Sequence, residues 1–178
     1  LLFGNIEIAL NNVSEHWKDK MTIDKSLFRL SREIIESNTD NPYLLGIPKR
    51  GDLLAQRISN NLTSEKFQHD IGKVDYLPFR DDLVKNLEKN ILDISPEGRE
   101  VILIDDVIYT GRTLRASIEA VIHSGRPKSI SLLCLIDRGH RELPITPKFV
   151  GRNIPTNQDE YVSVFLKEID NEDKVEVT

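Results

Sequence analysis

Residues 101–113 read V-I-L-I-D-D-V-I-Y-T-G-R-T, and this stretch decides the fold. Val101 to Ile104 is a continuous apolar run rich in β-branched residues, the composition of a strand buried on both faces of a parallel sheet. Two adjacent carboxylates, Asp105 and Asp106, end that run. A short loop with Gly111 follows, and Thr113 opens a helix to Ser124 whose Leu114, Ile118, Val121 and Ile122 point inward. Gly125 stops this helix. Ser129 to Ile136 is the next buried strand, and strand–helix–strand at this spacing is a βαβ unit. The fold class is therefore α/β, with a mostly parallel central sheet flanked by helices.

The rest of the chain extends this unit. Ile23 to Ser37 reads as an amphipathic helix with Leu27, Leu30, Ile34 and Ile35 on one face and Asp24 at its start as a cap. Pro42 opens a short strand, Tyr43 to Ile47. Pro48-Lys49-Arg50-Gly51 forms a turn, and a helix runs from about Asp52 to Asn61. Val74 to Phe79 reads as a strand. Arg80 to Gly98 is polar and aperiodic, a long loop of the kind that often serves as a lid.

Composition bounds the function. The 178 residues suffice for one domain with a hydrophobic core, at 39% hydrophobic and 30% charged residues. The longest apolar stretch, Ile130 to Ile136, is too short to span a membrane. No basic start with a long apolar core marks a signal peptide, so the cytoplasm is the expected compartment. The single cysteine, Cys134, excludes an internal disulfide framework and reads as a buried strand thiol. The net charge of −5 resides in the tail, where Asn157 to Thr178 carries seven acids against two lysines. Against a neutral body, His123 to Arg152 holds six Lys/Arg and two acids, a local basic stretch. Met21 is the only methionine; residues 1–21 are read as an extension, a fragment start or a misplaced translation start, and 22–178 as one domain.

The chemistry follows from residues 105–113. Ligands of open α/β sheets sit at the carboxyl ends of the strands, where this loop lies. A helix start offers unpaired N–H groups and the positive end of a dipole. Gly111 lets the backbone approach an anion, and Thr110 and Thr113 add hydroxyl donors, which makes a phosphate cradle. Neither G-x-x-x-x-G-K-[ST] nor G-x-G-x-x-G is present. Carboxylates beside a phosphate cradle must face sugar hydroxyls or a metal. Phosphate on one side and ribose hydroxyls on the other describes a ribose 5-phosphate.

Further segments carry a resemblance: L-L-G-I-P-K-R-G at 44–51, F-R-D-D-L at 79–83, G-R-P-K-S-I at 125–130, D-R-G-H-R-E-L-P-I at 137–145 and G-R-N-I-P-T at 151–156. With the 101–113 motif, from about Ile23 to Val175, the chain resembles the PyrR family of type I phosphoribosyltransferases, pyrimidine-operon attenuation regulators that are also uracil phosphoribosyltransferases. The resemblance implies that fold, with a small hood and a flexible lid loop. It implies transfer from 5-phosphoribosyl-1-pyrophosphate (PRPP) to uracil, giving UMP and pyrophosphate, with Mg2+.

It also implies roles. Tyr109, Thr110, Gly111, Arg112 and Thr113 would hold the 5-phosphate. Asp105 and Asp106 would bind the ribose hydroxyls directly or through metal-bound water and favour a cationic transition state. Lys49, Arg50 and Gly51 match the pyrophosphate loop; Pro48 is a departure, standing where relatives carry a basic or polar residue. Arg80, beside Asp81 and Asp82, would reach the pyrophosphate when the lid closes. Asp137, Arg138, Gly139 and His140 would recognise the base. An mRNA leader hairpin would meet Arg29, Arg32, Arg141, Lys148 and Arg152, although Phe28 and Thr146 replace a small polar residue and an arginine of the regulators. A homodimer or larger homo-oligomer is expected. Two alternatives stay open: a nucleotide-sensing RNA-binding regulator with little turnover, to which Pro48 points, and a phosphoribosyltransferase for another base.

Overall fold

The computed structural model describes residues 20–81 and 91–178. Its elements are α1 (Lys20–Glu36), β1 (Tyr43–Gly46), α2 (Gly51–Ser64), β2 (Asp70–Lys73), β3 (Glu100–Ile108), α3 (Arg112–Ser124), β4 (Ser129–Asp137), β5 (Phe149–Asn153), β6 (Val162–Phe165), α4 (Lys167–Asp170) and β7 (Lys174–Val177). Strands β1 to β5 form one sheet in the order β2-β1-β3-β4-β5, every neighbouring pair parallel. β6 and β7 pair antiparallel as a separate two-stranded unit, called the hood here, which the sequence did not foretell; the hood expected from the resemblance was the loop from Asp137 to Pro144.

The apolar runs are continuous because both faces of the sheet are covered. Successive strand residues point to opposite faces. Thus Leu44, Ile102, Ile104, Leu133 and Leu135 join Ile23, Leu27, Leu30 and Ile34 of α1 and Leu54, Ile58 and Leu62 of α2 in one cluster. Tyr43, Leu45, Val101, Leu103, Leu132 and Cys134 pack with Leu114, Ala116, Ala120 and Val121 of α3 in the other. The hood is tied to the first cluster by Val164, Leu166 and Val175.

Several expectations need correction. The expected strand at 74–79 lies upstream: β2 is Asp70–Lys73, and Leu77–Phe79, with Pro78, is a short 3-10 turn. Asp24 does not cap α1, which begins at Lys20; its carboxylate faces Arg57 at 3.4 Å. Ile122 is not inward but 59% exposed. β3 continues through both acids to Ile108. Residues 82–90 of the expected lid, Asp82 among them, lie outside the described residues.

One ion network holds the hood to the body. Arg57 of α2 donates to Glu168 at 2.9 and 2.6 Å and to Asp173 at 3.0 and 2.7 Å. The Asp173 side chain is wholly buried, so removing its cation strands a charge. Arg57→Ala is expected to lower stability by about 3 kcal/mol in urea unfolding; a loss below about 1 kcal/mol, the level of a surface pair, refutes the assignment. The hydrogen bonds from Arg57 hold the Glu168 carboxyl below its usual range. That stability is present above the ordinary Glu value and disappears as pH falls through the lowered one. Arg57→Ala therefore also flattens the acid side of the stability profile.

Candidate active site

The predicted segments converge at the carboxyl ends of β1, β3 and β4. The loop after β1 is pinned to β3: Ile47 N–H donates to Ile104 O at 2.9 Å. The Pro48–Lys49 peptide is cis. Gly51 begins α2 directly against β3, where a Cβ would lie 2.2 Å from Ile104 O and 3.2 Å from the Asp105 Cα. The Lys49–Gly51 loop and the start of α2 thus stand beside the first acid.

Asp105 is buried and Asp106 is partly exposed. Each carboxylate accepts from the next backbone N–H, Asp105 from Asp106 at 3.0 Å and Asp106 from Val107 at 2.9 Å. Burial first, then the neighbouring Asp106 charge, raises the Asp105 carboxyl well above the usual carboxylate range. Asp105 therefore retains a proton more readily than an isolated aspartate does. Cys134, across the strand from Asp105, is buried, and burial pushes its thiol up, which makes it inert.

The loop expected to cradle a phosphate leads directly into α3. Gly111 takes φ +89° as the N-cap of α3, a left-handed conformation suited to glycine. A cleft of about 160 Å3 is lined by Asp105 and by Val107 to Leu114. It adjoins one of about 240 Å3 lined by Arg80, Asp81, Arg112, Thr113 and Arg115. A larger groove, about 620 Å3, lies between α1, α2 and α4 around Phe28 and Arg57; it contains neither the paired acids nor the cradle, and the strand-end clefts are the better site. Among the described residues no group of three His, Cys, Asp or Glu could hold a metal. Two carboxylates with no soft donor suit a magnesium ion whose other ligands are substrate oxygens and water.

The loop expected to meet the base closes on the loop expected to meet the phosphate. Arg138 N–H donates to Ile108 O at 3.2 Å, and Glu142 N–H to Thr110 O at 3.1 Å. Gly139 N–H donates to Asp137 Oδ1 at 3.0 Å, and Ile154 N–H to Asp137 O at 2.8 Å. Arg141, expected on an RNA surface, is instead a clamp within the site. It donates to Asp137 Oδ2 at 2.6 Å, Tyr109 O at 3.0 Å, Ile145 O at 3.1 Å and Gly139 O at 3.3 Å. Arg138, expected to face the base, is 4% exposed, and its guanidinium lies 4.0 Å from the Tyr109 ring centroid.

Other expected residues are engaged elsewhere. Arg50 is paired with Asp170 of α4 at 3.0 and 3.1 Å rather than left open for an anion. The Leu166 N–H, and after it Arg50, hold the Asp170 carboxyl below its usual range. The Arg112 side chain bridges to Glu142 at 2.7 Å. Arg29 donates to Val150 O and Gly151 O of β5 at 3.0 and 2.6 Å, and Arg32 pairs with Glu65 at 3.0 Å. Lys148 lies over the Phe149 ring, and Arg152 stands on β5. Sequence reasoning missed Arg115, which donates to Phe79 O at 2.9 Å and Asp81 at 2.7 Å and fixes the base of the lid beside Arg80. Its only local signal was Glu119 four residues on, to which it also donates.

Residues 16–168 match the phosphoribosyl transferase domain family. Bifunctional protein PyrR of Clostridium kluyveri is 48% identical over 166 residues, covering 89% of this chain and 94% of that protein. Its namesake in Thermoanaerobacter pseudethanolicus is 45% identical over 168 residues, covering 90% and 94%. A hypoxanthine phosphoribosyltransferase structure from Staphylococcus aureus superposes with a TM-score of 0.68 at 20% identity, covering 88% of this chain and 86% of that one. That likeness concerns the fold.

Proposed function

The chain belongs to the phosphoribosyl transferase family and within it to the PyrR family, and from that premise we propose that it is a uracil phosphoribosyltransferase, converting uracil and PRPP to UMP and pyrophosphate. The observation that carries this reading is the pair of adjacent acids, buried Asp105 and partly exposed Asp106, on the strand that leads into a glycine-started helix cradle. The N–H groups of the first turn of α3 and the hydroxyls of Thr110 and Thr113 bind the 5-phosphate. Asp105 and Asp106 accept hydrogen bonds from the ribose 2- and 3-hydroxyls. Uracil N1 bonds to the ribosyl carbon as the bond to pyrophosphate breaks, and the N1 proton is released. Positive charge grows on the ribosyl carbon in that step, and the two acids favour it.

Lys49, the N–H groups entering α2 and Arg80 take the diphosphate, with Arg50 exchanging Asp170 for it. Asp105 and Asp106 would also hold Mg2+ together with substrate oxygens, and the ion supplies charge neutralisation for the departing diphosphate. The base edge is read by backbone. In the loop 137–140, Arg138 O and the His140 N–H and O are not used by the bonds that close the loop. An acceptor and a donor there suit the C=O and N–H of a pyrimidine-dione.

A second activity, UMP-dependent binding of an mRNA leader hairpin, falls to the surface where α1 meets β5. Arg29 and Arg152 lie there, and Arg32 stands farther along α1, against Glu65 at the end of α2. The Arg29–Glu33 and Arg32–Glu65 pairs are exposed, so breaking them for phosphate costs little.

The test is pyrophosphate release and UMP formation from PRPP with Mg2+ across a panel of uracil, cytosine, hypoxanthine and guanine, with hairpin retention on a gel with and without UMP. Turnover confined to uracil is expected. Turnover with a purine instead would make this a different base-specific transferase. UMP and RNA binding without turnover would make it a sensor.

A further inference from the structure

The motif G-R-N-I-P-T at 151–156 has no part in the chemistry above, yet its last residue touches the base loop twice. Thr156 Oγ1 accepts from Arg138 Nε at 3.1 Å. Thr156 O lies 2.6 Å from His140 Nε2; a carbonyl only accepts, so Nε2 carries the proton and donates. We propose that Thr156 is a positioning residue for base recognition, acting through Arg138 and His140 on the loop 137–140. This rests on the reading of that loop as the base site.

Two features show that the loop needs such a support. Gly139 and His140 are both left-handed, at φ +79° and +58°. The conformation is open to Gly139 but unfavourable for His140, and it persists only when neighbouring contacts impose it. The His140 bond to Thr156 O is such a contact. The second feature is Arg138, a cation only 4% exposed. Among the described residues no carboxylate pairs with it; its partners are Thr156 Oγ1, Asn157 O, Glu160 O and the face of Tyr109. A buried charge held by neutral acceptors is sensitive to the loss of any one of them.

The consequences reach both halves of the site. Arg138 lies against the Tyr109 ring, and the His140 ring meets Tyr109 edge-on at 5.8 Å. Tyr109 begins the phosphate loop, whereas Arg138 O and His140 N–H are the proposed base contacts. Thr156 therefore sets how the base edge stands relative to the phosphate already bound. Its removal acts chiefly on the base, because the N–H groups at the start of α3 hold the 5-phosphate without a contact to Thr156.

The experiment compares Thr156→Val, which keeps the shape and carbonyl but drops the hydroxyl, with Thr156→Ser, which keeps the hydroxyl. Affinities for UMP and for ribose 5-phosphate are measured by calorimetry, and KM for uracil and for PRPP by turnover. Thr156→Val is expected to weaken UMP about tenfold, as for a lost bond to a charged group, and to raise KM for uracil similarly. Ribose 5-phosphate affinity, KM for PRPP and kcat stay within about twofold, the precision of such assays, and Thr156→Ser restores UMP binding. Unchanged UMP binding in Thr156→Val, equal weakening of both ligands, or failure of Thr156→Ser to rescue overturns the inference. A wild-type chain that holds UMP no better than ribose 5-phosphate overturns the base-loop reading itself, and the role of Thr156 with it.

Discussion

The Asp105→Asn/Asp106→Asn variant is expected to lose about 1,000-fold in kcat/KM for UMP formation while remaining folded. Among the described residues Asp105 is the one acid that lines the cleft the cradle forms, and Asp106 follows it on β3. Replacing them removes acceptors for the ribose hydroxyls, the magnesium ligands and the charge that favours a cationic ribosyl carbon. Stability moves the other way. Asp105 is buried, and its carboxyl is raised by that burial and then by Asp106. A raised acid binds its proton more tightly in the folded chain than in the unfolded one. Stability therefore falls as pH rises from the ordinary carboxylate value through the raised one, and the penalty persists above it. Asparagine removes that penalty and still accepts the Asp106 N–H. Thermal melts in chelator at neutral pH are expected to show the variant at least as stable as the natural chain, a trade of stability for function common at active sites. Activity above about a tenth of the natural level would remove the acids from the reaction. A variant that is inactive because it is unfolded would refute the electrostatic account of Asp105.

What could be read in advance follows from where each signal resides. Strand β3 and its loop were legible because the strand is covered on both faces, which demands an unbroken apolar run, and because a phosphate cradle is local in sequence. The edges were not. β2 occupies Asp70–Lys73, polar and partly exposed, and its ladder to β1 rests on backbone groups that leave no side-chain pattern. The apolar Val74 and Phe79 that suggested a strand are buried, but as anchors of a turn. In the acidic tail, charge obscured the alternation of β6 and β7. The arginines divide in the same way. Basic residues near a phosphate site read equally well as ligand contacts, RNA contacts or clamps. Only the tertiary arrangement assigns Arg141 to four acceptors inside the site and Arg50 to Asp170. Thr156, in a motif the resemblance marked without a task, acquires one once Arg138 and His140 are seen to meet on it.

Gly51→Ala is expected to dismantle the site through packing alone, since it removes no polar group. The added Cβ would lie 2.2 Å from Ile104 O. That oxygen belongs to fully buried Ile104 and already accepts from Ile47 N–H at 2.9 Å, so it has nowhere to go. The start of α2 must retreat instead, and with it the Lys49–Arg50 loop that stands beside Asp105. A shift on the order of 1 Å in such a loop costs about 100-fold in turnover, and overpacking of this kind costs about 3 kcal/mol in stability. Gly139→Ala supplies the contrast. Gly139 has φ +79° but nothing within 4 Å of a Cβ, so alanine there meets only backbone strain of about 1–2 kcal/mol. Urea unfolding and steady-state kinetics on both variants separate the causes. Gly51→Ala is expected to raise KM for PRPP and lower kcat together, whereas Gly139→Ala chiefly weakens uracil. Near-natural kinetics in Gly51→Ala would mean that the contact between the loop and β3 does not set the diphosphate site, and the placement of Lys49 and Arg50 in that role would fall with it.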